Sequence, residues 1–180
     1  EEYDSYVFCL IRIINGYTLK DEYDKALPYI EECKLMLDGL NITLLTDFYS
    51  TYLTYLIKYG TEQEIDETIH QYINSIPSPN IDWLTIANAY YTMHKYNEAL
   101  SILSQYDTEG NEYKEKKYLA ILYEVYKSLG DHKNALEIFE EYVDIFTTNI
   151  FAKMQQDTKF VEERHNLEMA KAKEAEAKNK

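Results

Sequence analysis

One spacing constrains this chain more than any other feature. Ala26, Ile65, Ala99 and Ala135 sit at matching places in four apolar stripes and lie 39, 34 and 36 residues apart. The stretch from Asp82 to Tyr106 shows the unit best. Ile81, Trp83, Leu84, Ile86, Ala87, Tyr90 and Tyr91 give one helix an apolar face of period 3.6. After a turn at His94-Lys95, Tyr96, Ala99, Leu100, Ile102, Leu103 and Tyr106 do the same for a second helix. Ala87 and Ala99 let the two approach, with Trp83, Tyr90 and Leu103 filling the seam. Such a pair cannot bury both faces alone, so a repeat near 34 residues implies stacked neighbours of the same kind.

The units fall at about 3–38, 46–78, 80–107 and 114–147, with turns at Lys20-Asp21-Glu22, Tyr59-Gly60-Thr61, His94-Lys95 and Leu129-Gly130-Asp131. The second helix of the first unit is expected to run long, to Asp38, with Gly39 as its cap and Pro28 kinking it or marking its early turns. Asn80 or Asp82 caps the third unit. Five Gly and three Pro are too few for a sheet fold, which needs a turn every 8–12 residues or so. The expectation is all-α, an α-α superhelix of about four helix-turn-helix repeats in residues 1–147.

Residues 148–180 form a further helix. Thr147-Thr148-Asn149 is placed as its cap, and Ile150, Phe151 and Met154 as a patch covering the end of the fourth unit. Phe160 and Leu167 are seven apart, but Glu174 breaks the heptad. A coiled coil and a solvated helix rich in Ala, Glu and Lys are both open.

The pattern resembles the tetratricopeptide repeat family. The third unit carries Trp83, Ala87, Tyr90, Tyr96 and Ala99 of that family's consensus. The fourth carries Leu122, Tyr126, Gly130, Ala135 and Phe139, the first Tyr17, Tyr23 and Ala26, and the second Gly60 and Pro77. The resemblance implies a solenoid whose first helices line a concave, ligand-holding groove. It places Arg12 and Asn15, Thr51, Thr54 and Lys58, Thr85, Asn88 and Tyr91, and Lys117, Glu124 and Lys127 on that face. Asn15 and Asn88 stand where family members hold a peptide backbone or carboxylate, because an amide donates and accepts at once. Arg12, Lys58, Lys117 and Lys127 would favour an acidic peptide. A repeat array with such a tail also resembles the regulatory region of bacterial signalling proteins. There the helix leads to a catalytic domain, of diguanylate cyclase (GGDEF) or histidine kinase type. A free-standing adaptor is the alternative. Partners are then a protein or peptide ligand, or a second copy through the repeats or the last helix.

Charge narrows the partners. The net charge is −14, and from Ile150 on seven Lys/Arg meet six Asp/Glu, so residues 1–149 hold −15. An acidic body repels nucleic-acid phosphates and anionic lipid. The apolar run from Tyr6 stops at Arg12, so no insertion into a membrane is expected, and the placement is cytoplasmic. Cys9 and Cys33 read as reduced, buried packing residues on facing helices. The chain itself is expected not to be an enzyme and to take no cofactor or metal. Asp66, Glu67 and His70 share a helix face, yet lack a second ligand pair. The remaining carboxylates are dispersed over helix surfaces.

Overall fold

A computed structural model describes residues 2–108 and 110–178, with side chains for all of these except 170 and 172–178. The expected end of the tail at 179–180 and the side chain at 174 lie outside the described residues. Among the described residues, eight α-helices follow one another as four consecutive pairs: α1 (Glu2–Leu19) with α2 (Tyr23–Lys34), α3 (Ile42–Tyr59) with α4 (Glu62–Ser75), α5 (Trp83–Thr92) with α6 (Tyr96–Leu103), and α7 (Glu112–Ser128) with α8 (His132–Lys178). A short 3-10 turn at Ser78–Asn80 leads into α5. Among the described residues there is no strand, and no helix is long and apolar enough to cross a membrane.

Side-chain caps start most of these helices. Asn41 Oδ1 accepts from the Leu44 amide, Asn111 Oδ1 from Lys114, and Asp82 from Thr85. Thr61 and Glu64 form a capping box at α4. The turn between the helices repeats. Glu22 N–H donates to Tyr17 O, Lys95 N–H to Tyr90 O and Asp131 N–H to Tyr126 O. In each case the residue just before the donor is left-handed: Asp21 (φ 58), His94 (φ 58) and Gly130 (φ 76). This six-to-one closure is a Schellman turn, and it recurs in three of the four pairs. In the second pair, Gly60 is extended and donates to Leu56 O instead.

Cross-links fix the directions. Asn149 donates to Glu112, so α8 runs back along α7 to its start. Lys117 reaches Thr85 near the starts of α7 and α5, and Tyr91 reaches Glu124 near their ends. These two helices are therefore parallel. Lys58 at the end of α3 likewise meets Thr18 and Asp21 at the end of α1. Consecutive first helices touch in the series α1, α3, α5, α7. Moreover, α3 contacts both α1 and α2, and α7 both α5 and α6.

The apolar interior forms two clusters that meet at α5. Ile86, Ala89 and Met93 pack with α1 to α4, whereas Leu84 and Ala87 pack with Ala99, Leu103, Ile121, Leu122 and Val125. Ala87 and Ala99 are fully buried, as their close-approach role requires.

Several boundaries differ from expectation. The helix α2 stops at Lys34, and Gly39 (φ 85) sits in the connection to α3, which starts at Ile42. A positive-φ glycine marks a turn there, not the end of a longer helix. Pro28 is accommodated inside α2 on its exposed side. No new helix begins at 147–149. Thr147 Oγ1 bonds back to the Val143 and Asp144 carbonyls, and α8 continues without a break. The patch at Ile150, Phe151 and Met154 covers nothing: these side chains are 43%, 67% and 60% exposed. Cys33 is buried, with burial pushing its thiol up to about 11, but Cys9 is exposed on α1.

Candidate functional site

The predicted groove residues all lie on the first helices of the pairs, α1, α3, α5 and α7. Asn15 and Asn88 each stand two residues before the tyrosine whose carbonyl closes the Schellman turn, Tyr17 and Tyr90. Glu124 holds the same place before Tyr126, and Thr54 stands in line on α3. The result is a polar row, Asn15, Thr54, Asn88, Glu124. With helix axes 8–10 Å apart it spans about 30 Å.

Their side chains are not equally available. Thr54 Oγ1 donates to Ser50 O at 2.8 Å, and Glu124 accepts from Tyr91 at 3.4 Å and from Lys127 at 3.3 Å. Among the described residues, the half-buried amides of Asn15 and Asn88 and the hydroxyl of Thr51 make no hydrogen bond within the chain. Thr85 is only 4% exposed. Its hydroxyl bonds Asp82 at 2.6 Å and accepts from Lys117 Nζ at 2.8 Å. It is thus part of the wall rather than a contact.

The expected positive potential is cancelled locally. Lys58 lies 2.8 Å from Asp21, Lys117 3.4 Å from Asp82 and Lys127 3.3 Å from Glu124. Hydrogen bonds from Lys58 and then Tyr59 hold the Asp21 carboxyl below its ordinary range. The Glu124 hydrogen bond raises the Lys127 ammonium. Each lysine therefore brings its own carboxylate, and the acidic-peptide preference loses its basis. Arg12 is the exception. It makes no ion pair among the described residues and stacks over Phe8 at 5.7 Å. Its charge acts on Asp47, whose carboxyl is nevertheless pushed up by burial.

Phe8 and Asp47 also line an open cavity of about 630 Å³ at the starts of α1 and α3, with Asp4, Cys9, Asn41 and Leu44. A second hollow of about 590 Å³ lies between the 3-10 turn and the third pair, lined by Pro79, Trp83, Ile102, Gln105 and Tyr106. Trp83 is half-buried there and donates Nε1–H to Ser78 O at 3.2 Å. The sequence reading placed Trp83 only in the helix seam. The two prolines and Ser78 before it were the available signal for this hollow.

No described group of three or more His, Cys, Asp or Glu could hold a metal ion. Asp66 is bonded to Lys95 at 2.8 Å, and His70 Nδ1 lies 2.8 Å from the Asp66 carbonyl. Compared with protein-family models, curated proteins and solved structures, the chain matches none.

Proposed function

We propose that this chain is a helical-repeat module of tetratricopeptide type that holds a protein or peptide partner along the face of α1, α3, α5 and α7. One observation carries the reading. Two amides with unspent donors and acceptors occupy equivalent places on parallel helices, two residues before the same turn. An extended peptide offers matching backbone groups, and about nine residues at 3.3 Å each cover the row. Because the lysines are paired with carboxylates, the ligand favoured is uncharged along its backbone-reading stretch. Near Asp47 and Arg12 the face can also take a polar chain end.

Titration of labelled nonapeptide libraries tests this. Neutral libraries are expected to bind better than acidic ones. Asn15→Ala and Asn88→Ala should each weaken the best binder by about 5–30-fold, the loss of one or two buried hydrogen bonds. Unchanged affinity in both variants would reject the face.

A regulatory role is a second reading, favoured by the continuity of α8. One unbroken helix joins the packed segment beside α7 to a segment beyond Asn149. A partner that tilts α7 would therefore move the distal helix as a lever, shifting a population of orientations. The reading frame beyond Lys180 tests the signalling form of this reading. A cyclase or kinase sequence in frame supports it, and a nearby stop codon leaves an adaptor.

A further inference from the structure

The stacking rule of the body predicts what its last pair lacks. Each first helix sits against the first helix of the pair before it, and α3 and α7 sit against both helices, α7 parallel to α5 and so antiparallel to α6. No described helix sits this way on α7 and α8. The surface left there is apolar. Leu136, Phe139, Phe146 and Ile150 are 58%, 46%, 48% and 43% exposed, and Phe139 leans on Tyr123 of α7 at 5.6 Å.

With half-buried Val143, these residues repeat at three and four, the spacing of a coiled-coil seam. The seam continues along α8 through Lys153, Asp157, Phe160, Arg164, Leu167 and Lys171. Beyond Asn149 the helix extends for roughly 40 Å. Its near part, 132–152, has four carboxylates against one lysine. The far part, 153–171, has four of each sign.

We propose that the missing helix is the distal α8 of a second copy, running antiparallel. In the register centred on residue 155, Lys153 of each copy faces Asp157 of the other. Ile150 then meets Phe160 and Val143 meets Leu167. Phe146 and Phe139 meet Arg164 and Lys171, whose stems cover the rings while their charges stay wet. The acidic near segment is laid against the neutral far one. The parallel alternative puts Lys153, Asp157, Arg164 and Lys171 each against its own copy and sets the two acidic segments side by side. The antiparallel pair is closed and two-fold, so each copy fills the open end of the other.

Sedimentation of the full chain should show a dimer. Phe146→Asp with Ile150→Asp, both at exposed positions, should give a monomer with unchanged helical dichroism. Lys153→Asp should weaken dimerisation about tenfold, and adding Asp157→Lys should restore it, since the ion pair is made twice. A parallel pair would not respond to that swap. Spin labels at Glu140→Cys in a Cys9→Ser background should lie about 45 Å apart along the axis, against under about 20 Å for a parallel pair. A monomer at 100-micromolar-order concentration, a dimer indifferent to the two aspartates or to the swap, or the short distance would each overturn the proposal.

Discussion

Removing one hydroxyl, by Tyr72→Phe, tests how the second and third pairs are joined. Tyr72 is fully buried on α4. Its Oη accepts from the Asp82 amide at 2.9 Å and shares a hydrogen bond with Ser50 Oγ at 3.0 Å. Asp82 in turn caps α5 and receives Lys117 from α7. One oxygen thus ties α3, α4 and the start of α5 together. Phenylalanine keeps the ring and its stacking on Tyr49 at 5.1 Å. It strands the Asp82 donor, and an unmade hydrogen bond in a buried setting costs about 1–3 kcal/mol. For a chain of this size about 2 kcal/mol corresponds to roughly 4–8 °C in Tm. The control is Tyr49→Phe. That hydroxyl is also buried but only 3.5 Å from Ser75 Oγ, too long for a strong bond, so its loss should cost under about 0.5 kcal/mol. Urea unfolding followed by circular dichroism reads both. Equal stability of the two variants would refute the junction argument. So would a cycle with Ser50→Ala showing no coupling, since partners in one network normally couple by at least about 0.5 kcal/mol.

Acid sensitivity should come from the carboxylates that cross between pairs. Asp21 and Asp66 are both lowered from 3.8, by Lys58 and Tyr59 and by Lys95. Their contribution is complete above 3.8 and is lost as pH falls through the still lower folded values. The pair Asp21→Asn and Asp66→Asn should flatten the stability slope in that acid window, leaving it unchanged between about pH 5 and 8. Gly60→Ala should destabilise more than Gly130→Ala, although only Gly130 has positive φ. A Cβ at Gly60 would lie 2.7 Å from Leu56 Cδ2 and 2.9 Å from its carbonyl, an overpacking of about 1–3 kcal/mol, whereas open space at Gly130 leaves only strain of about 1 kcal/mol. A disulfide reagent near neutral pH should titrate one thiol in the native chain and two in denaturant. Cys9→Ser should abolish the native reaction, because Cys33 is buried and raised to about 11.

The pairing of helices was legible in the sequence because apolar period and turn chemistry are local. Ala99 and Leu103 declare a buried face within eight residues, and Leu129-Gly130-Asp131 declares its turn. The left-handed places at Asp21 and His94 were less visible, since neither is glycine. The end of α2 and the start of α3 were misjudged because Leu35, Met36 and Leu37 continue an apolar run while the backbone turns. Ion pairing across the candidate face was not legible at all. Lys58 and Asp21 are 37 residues apart, and Lys117 and Asp82 are 35 apart. Composition shows the lysines but not which carboxylate the stacking brings to each. The continuity of α8 was hidden for a different reason. Thr147-Thr148-Asn149 reads as a cap, but threonine in a helix can bond back to a carbonyl, as Thr147 does.

The third pair carries the relation between the candidate face and the core. Its first helix, α5, is buried on two sides, with Ile86 and Met93 in one apolar cluster and Leu84 and Ala87 in the other. At its start, the Asp82 amide donates to Tyr72 and the Asp82 carboxylate accepts from Lys117, on opposite neighbours, and near its end Tyr91 reaches Glu124. Asn88 therefore projects from the helix that both halves of the body hold. A ligand that pulls on this amide acts on a rigid short element rather than a free surface. Its displacement must be shared by α3 and α7, and through α7 by α8. That is why substitutions at Asn88 and Asn15 need not behave alike. Asn15 belongs to α1, which packs chiefly on α2 and α3, so its loss should affect ligand affinity without altering the set of α8, whereas Asn88 should affect both.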